Sequence, residues 1–241
     1  MNIGPSECPA CRGAGTPEIG EKNGYPLRQC GECRTAFVSP MPAGEVLDAF
    51  YSRYAKTPKY LRKQEKKVAR AKLRLRFLPV RRGMRFLDVG CNAGFAVKAA
   101  LDRGLDARGI DIDREAIATA QSWLPPDRFE AASVEDYAAR GHRADFIYSS
   151  EVLEHVPDPD RFAAALRDVL VPGGRLYITC PDAGHWLRPR NFLEWQAVRP
   201  PEHLVYYTRA GLRALFARHG FGRIRFRPHT KPSHRMTARA E

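Results

Sequence analysis

Ten residues, Phe86–Phe95, constrain the fold more than any other stretch, because a short apolar run there meets a glycine-rich turn. The apolar residues around Asp88 predict a buried strand, and a helical pattern follows the turn. Gly90 and Gly94 lack the Cβ atoms that would keep a ligand away from the backbone, and Asn92 tolerates left-handed geometry. A helix beginning near Gly94 would direct its first N–H groups at the same place. The stretch therefore predicts a ligand site at a strand-to-helix turn.

The chain beyond Pro79 alternates between short apolar strands and helical patterns. The predicted strands are Met84–Val89, Ala107–Ile110, Arg128–Ala131, Ala144–Ser149, Arg175–Cys180 and Arg223–Phe226. The predicted helices are Ala96–Arg103, Arg114–Trp123, Asp160–Leu170 and Arg209–His219. Pro172–Gly174 predicts a tight turn before the fifth strand, and Thr230–Glu241 shows no strand pattern. Regular βαβ alternation predicts a doubly wound, mainly parallel α/β sheet, which we assign to a domain of residues 80–241.

Four cysteines near the N-terminus form two Cys-x-x-Cys pairs, Cys8 with Cys11 and Cys30 with Cys33, with 18 residues between the pairs. This spacing is typical of zinc ribbons, in which four thiolates close a tetrahedral site without an open position. Such a site folds a segment too short to build its own core. We predict a structural zinc held by these four residues in a ribbon of residues 1–40; a redox dithiol is the alternative.

The segment between the ribbon and the sheet is strongly basic. Residues 53–85 contain fourteen Lys and Arg residues and one acid, which accounts for the net charge of +13. We predict helices at Ala43–Tyr54 and from about Lys59 to Leu78, and assign residues 41–79 to a helical linker. Two interpretations stay open: a packed helix with a solvated basic back, or a basic lid that docks a phosphate-bearing substrate.

Composition narrows the class of protein. With 241 residues, of which 44% are hydrophobic, the chain is long enough for one α/β domain with a small appendage. No apolar run approaches the ~20 residues of a membrane helix. Met1–Pro9 shows no basic stretch followed by an apolar region, so we expect no secretory signal and a cytoplasmic protein.

Ligands of open parallel sheets bind beyond the carboxyl ends of the strands, where the strand order reverses. The residues at those positions are Asp88 and Gly90, Asp111, Ser133–Glu135 and Glu151. Asp111 stands where an acid can accept hydrogen bonds from both hydroxyls of a ribose, although a surface acid is the alternative. Asp88, two residues before the first glycine, would repel a pyrophosphate but suits a cofactor with an ammonium group. These residues predict an adenosine-containing cofactor.

Four motifs resemble those of the class I S-adenosylmethionine-dependent methyltransferases, in the same order and spacing over residues 80–226. They are Phe86–Phe95, Gly109–Asp113, Glu151–Pro159 and Leu170–Leu176. The third, Glu-x-x-Glu-His-Val-x-Asp-Pro, is most similar to the ubiquinone-biosynthesis O-methyltransferase group. The resemblance implies a Rossmann-like methyltransferase fold with S-adenosylmethionine as cofactor.

The resemblance also implies which residues hold the cofactor. The methionine part would be surrounded by Asp88, Gly90, Asn92 and Gly94, and the ribose would be held by Asp111. Ile112 would lie against the adenine, whose edge would be flanked by Ser133, Val134 and Glu135. Glu151 would face the cofactor. The chain departs from the family pattern at Asn92 and Ala93, where glycine is common. It also departs at Thr230–Glu241, since the family sheet normally ends in an antiparallel hairpin. The seventh strand is therefore expected to be absent, displaced or truncated.

Methyl transfer is an in-line displacement in which the protein aligns the acceptor and sometimes supplies a base. The Pro-Pro-Glu-His-Leu run resembles a segment that lies over the active site in several family members, including sugar methyltransferases. We predict His203, beside Glu202, as the base and His155 as the second candidate; a capping or packing role is the alternative for each. Glu151, Glu154 and His155 also match a metal-binding trio of the quinone-type enzymes, although Glu151 alternatively faces the cofactor.

Three functional hypotheses remain. The first is a methyltransferase acting at oxygen on a small or carrier-linked acceptor of sugar, quinone or natural-product type, with the basic helix facing an anionic or phosphate-bearing molecule. Family members with such a cysteine ribbon resemble enzymes of surface-polysaccharide and natural-product pathways. The second is an RNA or protein methyltransferase that uses the ribbon and the basic helix, although Tyr60 and Phe77 are the only aromatic residues of the helix predicted from about Lys59 to Leu78. The third, a non-catalytic zinc-ribbon nucleic-acid binder, is disfavoured by the intact cofactor motifs.

Overall fold

Two sheets organise the chain in the computed structural model, which describes residues 7–47 and 63–241. The small sheet contains β1 (Glu18–Lys22), β2 (Tyr25–Gln29), β3 (Ala36–Val38) and β9 (Val205–Tyr206). The large sheet contains β4 (Arg85–Val89), β5 (Asp106–Asp111), β6 (Phe129–Ala131), β7 (Ala144–Ser150), β8 (Leu170–Pro181), β10 (Phe221–Phe226) and β11 (Ser233–Ala240). The α-helices described from end to end are α1 (Gln64–Arg76), α2 (Phe95–Leu101), α3 (Arg114–Gln121), α4 (Val134–Ala139), α5 (Pro159–Val169) and α6 (Arg209–Arg218).

The strand order of the large sheet is β10-β11-β8-β7-β4-β5-β6. β4 pairs in parallel with β5 and β7, β5 pairs in parallel with β6, and β7 does so with β8. β11 runs antiparallel to both of its neighbours. The predicted doubly wound, mainly parallel α/β fold is thereby confirmed. Because the strand order reverses between β4 and β7, the carboxyl ends of these strands flank the crevice in which such sheets bind ligands.

Alternation of side chains along the strands gives the large sheet a core on each face. Phe86 and Phe146 stack with ring centroids 5.9 Å apart on the face that α1 and α2 cover. Leu87 and Ile147, one residue further along, belong to the core on the opposite face. Each of the four is at most 1% exposed, and full burial of such a side chain contributes about 1.5–3 kcal/mol. The two cores therefore fix the strands whose ends carry the candidate site.

The C-terminal strand corrects the prediction made for Thr230–Glu241. β11 lies between β8 and β10 and pairs with β8 along seven residues. His234, Met236, Ala238 and Ala240 are buried, and the residues between them are not. The period-2 pattern of a strand is thus present, but histidine and alanine on its inner side are too weakly hydrophobic to reveal it. The antiparallel hairpin of β10 and β11 is therefore present in this chain.

Two further differences concern the motif regions. The turn predicted at Pro172–Gly174 lies inside β8, which begins directly after α5 and has an irregular register against β7. α4 was not predicted, although Ser133 and Asp136 give the signal of a helix start. Ser133 Oγ accepts the backbone N–H of Asp136 at 3.0 Å, as an N-cap residue does.

The basic linker is described only in part. Residues 44–47 are helical, and residues 48–54 of the predicted helix Ala43–Tyr54 lie outside the described residues, as do residues 59–62 at the start of the helix predicted from Lys59. α1 buries Ala71 and Leu75 against the large sheet. No helix within the described ranges combines the length and the apolar composition needed to cross a bilayer.

The small sheet connects the N-terminal region with the large-sheet region. β3 pairs antiparallel with β9, where Ala36 lies opposite Tyr206 and Phe37 opposite Val205. The regions assigned from sequence to residues 1–40 and 80–241 therefore share one sheet.

Candidate functional site

The glycine-rich turn after β4 has the left-handed backbone that its sequence predicts. The angle φ is 75° at Gly90, 49° at Asn92 and 81° at Gly94, the residue before α2. A Cβ on Gly90 would overlap with Cγ2 of Val152, so only glycine fits where the turn meets the loop after β7. Asn92 Oδ1 accepts the backbone N–H of Ala93 at 2.7 Å, a local bond that helps asparagine replace glycine there.

Two acids lie beside this turn. Asp88 is 4% exposed, and burial raises its pKa to about 8, with the charge of Asp111 adding to the shift. Asp111 ends β5, and its oxygens accept the backbone N–H groups of Asn92 at 2.8 Å and Asp113 at 3.0 Å. Burial raises the pKa of Asp111 as well. Each Asp111 oxygen keeps a second lone pair, so the carboxylate is held in place and can still accept two hydroxyl groups.

This arrangement fits S-adenosylmethionine. An ammonium group beside Asp88 would supply the positive charge that two neighbouring buried acids need, whereas a pyrophosphate would add a third negative group. Asp111 would accept the two ribose hydroxyls. Ile112, which is 68% exposed, would offer an apolar surface to the adenine.

The residues predicted to flank the adenine edge open α4 and have local roles. Ser133 caps this helix and also donates its hydroxyl to Asp136 Oδ2 at 2.7 Å. Val134 is 2% exposed and packs in the core, and Glu135 is half-buried in the first turn. Their contact with adenine stays a prediction. Because Ser133 is used as a cap and Val134 is buried, that contact would involve the backbone at the start of α4 more than these side chains.

A polar network that sequence reasoning missed reaches the site from α1. Arg74 Nη1 donates to the hydroxyls of Tyr148 and Ser150, each at 3.0 Å. Ser150 Oγ lies 2.7 Å from Thr179 Oγ1, which donates to Glu151 Oε1 at 2.8 Å. Hydrogen bonds therefore connect the basic helix with the acid that follows β7.

The spacing of Arg74 could have revealed this role. It lies three residues after Ala71 and one before Leu75, both of which are buried, whereas Lys72 and Arg76 are exposed. A charged residue within an apolar stripe indicates a polar partner in the interior, since an unpaired buried charge is costly.

Two histidines meet beyond the carboxyl end of β7. The rings of His155 and His203 form an edge-to-face pair with centroids 4.8 Å apart. His155 Nδ1 lies 2.6 Å from the carbonyl oxygen of Glu202. The structure thus brings the three predicted catalytic residues together, where the loop after β7 meets residues 199–208, which we call the Pro-Pro-Glu-His segment.

Hydrogen bonds define the tautomer of His203. Its Nδ1 donates to the carbonyl oxygen of Ala197 at 2.8 Å, which leaves the lone pair on Nε2. Arg199 directs Nη2 at this Nε2 from 3.2 Å, and it also pairs with Glu202 at 3.2 Å. Burial, with smaller contributions from His155 and Arg199, lowers the pKa of His203 to about 3. His203 is therefore neutral at pH 7, and its Nε2 lone pair faces the guanidinium of Arg199.

The metal trio implied by the resemblance is arranged differently. Ligand atoms of Glu154, His155 and His203 lie within 4.8 Å of one another, whereas Glu151 is exposed and accepts its hydrogen bond from Thr179. Glu154 is 1% exposed, and neither of its carboxyl oxygens has a hydrogen-bond partner among the described residues. Burial raises the pKa of Glu154 well above its usual range. The guanidinium of Arg199 beside His203 opposes a cation, so this cluster suits proton handling better than metal binding.

The four N-terminal cysteines form one cluster. The Sγ atoms of Cys8 and Cys33 lie 3.6 Å apart, those of Cys11 and Cys30 lie 3.5 Å apart, and all four lie within 4.8 Å of one another. A tetrahedral zinc with bonds of about 2.3 Å separates its sulfurs by about 3.8 Å, so the cluster fits this ion. A hydrogen bond from Cys8 lowers the pKa of Cys33 to about 5, and the same pair raises the pKa of Cys8. The geometry fits the predicted zinc ribbon.

Curated relatives point to one family. A protein-family sequence model, described as a methyltransferase domain, matches residues 60–224. Ubiquinone biosynthesis O-methyltransferase of Thiobacillus denitrificans is 36% identical over 116 residues, which cover 44% of this chain and 50% of the relative. The protein of the same name from Brucella ovis is 32% identical over 154 residues, which cover 55% of this chain and 61% of the relative. The chain thus spans between half and about three fifths of the length of these relatives.

Solved structures agree on the fold. A methyltransferase dependent on S-adenosylmethionine from Archaeoglobus fulgidus has a TM-score of 0.60 at 14% identity, with 79% of this chain and 99% of that chain covered. Another from Mesorhizobium loti has a TM-score of 0.56 at 20% identity, with 70% and 97% covered. These structures support the fold, and the family model spans more than half of the chain. The resemblance seen in the motifs is therefore confirmed, and the chain belongs to the methyltransferase domain family.

Proposed function

We propose that this protein transfers a methyl group from S-adenosylmethionine to an oxygen atom of a small or carrier-linked acceptor. The observation that carries the proposal is the loop after β7, which contacts both halves of the site. Val152 packs against Gly90 of the cofactor turn, and the carbonyl oxygen of Glu154 accepts the Leu204 N–H of the Pro-Pro-Glu-His segment at 2.7 Å. The names of the curated relatives, which are O-methyltransferases, support oxygen as the acceptor atom.

The roles of the residues follow from their positions. When bound, S-adenosylmethionine supplies a methyl group activated by a positively charged sulfur. Asp88 would pair with its ammonium group and Asp111 would hold its ribose. His203, neutral at pH 7, would take the proton of the acceptor hydroxyl at Nε2, in place of the hydrogen bond that this atom accepts from Arg199. His155 would orient the segment through the carbonyl of Glu202.

The positive charge of the basic helix favours an acceptor that carries an anionic group. Arg74 reaches the end of β7, and Lys67 lies 4.8 Å from the centre of the Phe95 ring at the start of α2. Positive charge at this edge of the crevice would attract a phosphate or carboxylate on the acceptor. A sugar, quinone or natural-product acceptor fits the proposal; an RNA or protein acceptor is the alternative. The reducing cytoplasm is the compartment that suits the four thiols.

Calorimetry tests the proposal directly. The full chain is titrated with S-adenosylmethionine, and then with a generic single-stranded RNA at two salt concentrations. We expect cofactor binding and no strong RNA binding. No heat of binding with the cofactor would overturn the methyltransferase assignment. A steep loss of RNA affinity between the two salt concentrations would move the acceptor to the nucleic-acid class, because released counterions make such binding salt-dependent.

A further inference from the structure

The ribbon is attached to the Pro-Pro-Glu-His segment at several points. Beyond the pairing of β3 with β9, the Val38 N–H donates to the carbonyl oxygen of Leu204 at 2.9 Å. Thr208 Oγ1 donates to the carbonyl oxygen of Cys33, one of the four clustered cysteines, at 2.5 Å. The residue after the segment begins α6, which Thr208 caps by accepting the Gly211 N–H at 3.1 Å. One hydroxyl thus connects the cysteine cluster, the segment and the helix.

The packing at this junction leaves no free space. A Cβ on Gly211 would overlap with Thr35 Oγ1 and would lie 3.2 Å from the Cβ of Ala10. Cys8, Cys30 and Cys33 are at most 6% exposed and share a hydrophobic core with residues of α6 and the large sheet. The face of the ribbon next to the cysteines is therefore committed to the rest of this chain.

The opposite edge of the segment faces the candidate active site. Leu204 donates its N–H to the backbone carbonyl oxygen of Glu154, and Tyr206 donates its hydroxyl to the carbonyl oxygen of His203 at 2.9 Å. β9 therefore has the ribbon on one side and the catalytic candidates on the other. A displacement of the ribbon would move the backbone that carries Glu202 and His203.

We propose that the zinc ribbon is a positioning brace for the Pro-Pro-Glu-His segment, with Thr35, Thr208 and Gly211 as its contact residues. This inference rests on the proposed function and assigns the ribbon a partner within the same chain instead of a nucleic acid. The brace fixes the position of His203 on the acceptor side of the site. It leaves the cofactor turn alone, because Gly90, Asn92 and Asp111 are held by bonds among β4, β5 and the turn itself.

A compensating pair of substitutions tests the brace. Gly211→Ala favours α6 intrinsically, since alanine is the better helix former, but it drives the ribbon away from the helix through Thr35. Thr35→Ala removes the overlapping oxygen, so the double variant restores the fit. Thr35→Ala alone measures what loss of the Thr35 hydroxyl, itself a contact of the brace, does without the added methyl group on Gly211.

The readouts are amide hydrogen exchange at Leu204 and Tyr206, zinc content, and calorimetry with S-adenosylmethionine. We expect Gly211→Ala to speed exchange at both amides about tenfold, and the double variant to restore wild-type rates within about twofold. Zinc content and cofactor affinity should stay unchanged in all variants. If exchange rises only within β1–β3, or nowhere, the brace is overturned.

Thr208→Val provides a second test should Gly211→Ala not fold. It removes the hydroxyl bonded to Cys33, whereas Thr208→Ser keeps it, so serine should restore slow exchange at Leu204. Asp158→Ala, which removes the N-cap of α5, controls for the loss of a cap alone. Equal exchange in the valine and serine variants would overturn the brace. A wild-type chain that does not bind S-adenosylmethionine would instead contradict the proposed function, with the exchange result unaffected.

Discussion

The two sides of the candidate site are built differently. The cofactor side consists mainly of strand ends and one turn, and its predicted residues from Asp88 to Ile112 lie in a single βαβ unit, with Ser133–Glu135 and Glu151 predicted to complete it. The acceptor side combines Arg74 of α1, the loop after β7 and the Pro-Pro-Glu-His segment, and the ribbon is paired with that last part. The cofactor side therefore depends on local backbone geometry, and the acceptor side on contacts between distant parts of the chain.

The largest effect is expected on the cofactor side, at Asp111. Asp111→Ala removes the acceptor of two charge-assisted hydrogen bonds, each worth about 1.5–3 kcal/mol, so we expect S-adenosylmethionine to bind at least about a hundredfold more weakly by calorimetry. Asp113→Ala is the control, because its carboxylate only caps α3. Similar losses in both variants would show that the turn unfolds and would contradict a specific role for Asp111.

The next largest effect is expected on the acceptor side. His203→Ala should lower turnover about a hundredfold, the lower range for a lost general base, while cofactor affinity stays within about twofold. Turnover is measured as transfer of labelled methyl groups to the acceptor found by metabolite screening. His219→Ala is the control, since that histidine pairs with Asp160 away from the segment. Unchanged turnover would remove His203 as the base.

Arg74 lies where the two sides meet. Arg74→Met leaves the buried hydroxyl of Tyr148 without its donor, so we expect the free energy of unfolding in urea to fall by about 1–3 kcal/mol. Arg76→Met, at an exposed position of the same helix, should change it by no more than about 0.5 kcal/mol. Equal effects would mean that the network around Arg74 adds nothing to stability.

The smallest effect concerns pH. The pKa of His203 is about 3 in the folded protein and about 6.5 in the unfolded chain, so the unfolded state binds the proton first as the pH falls. The free energy of unfolding is therefore unaffected by His203 well above pH 6.5 and decreases as the pH falls towards 3. Between pH 6.5 and 5.5, protonation of this histidine in the unfolded chain lowers the free energy of unfolding by about 1 kcal/mol. His203→Gln should remove that part of the slope in thermal or urea unfolding. An unchanged slope would show that folding does not lower the pKa of His203.

The same contrast explains what sequence could predict. Asp88, Gly90, Asn92 and Asp111 occupy a motif whose spacing follows from the geometry of one strand and one turn, so the cofactor side was accessible without coordinates. The pairing of His155 with His203 joins residues 48 positions apart and depends on how irregular segments pack. Arg74 could have been recognised from its position between the buried Ala71 and Leu75, but the many basic residues of α1 obscured it. β11 was missed because its inner face is built from His, Met and Ala.

The position of β9 has a consequence for any shortened version of this protein. A fragment limited to residues 60–224, the part that the family model matches, would contain β9 without β1–β3 and β8 without β11. Both strands would then expose unpaired N–H and C=O groups, and such edges recruit strands from other molecules. We expect that fragment to self-associate in size-exclusion chromatography more than the full chain does. The part of the chain that the family model matches is thus shorter than the part needed to supply β9 and β8 with their pairing strands.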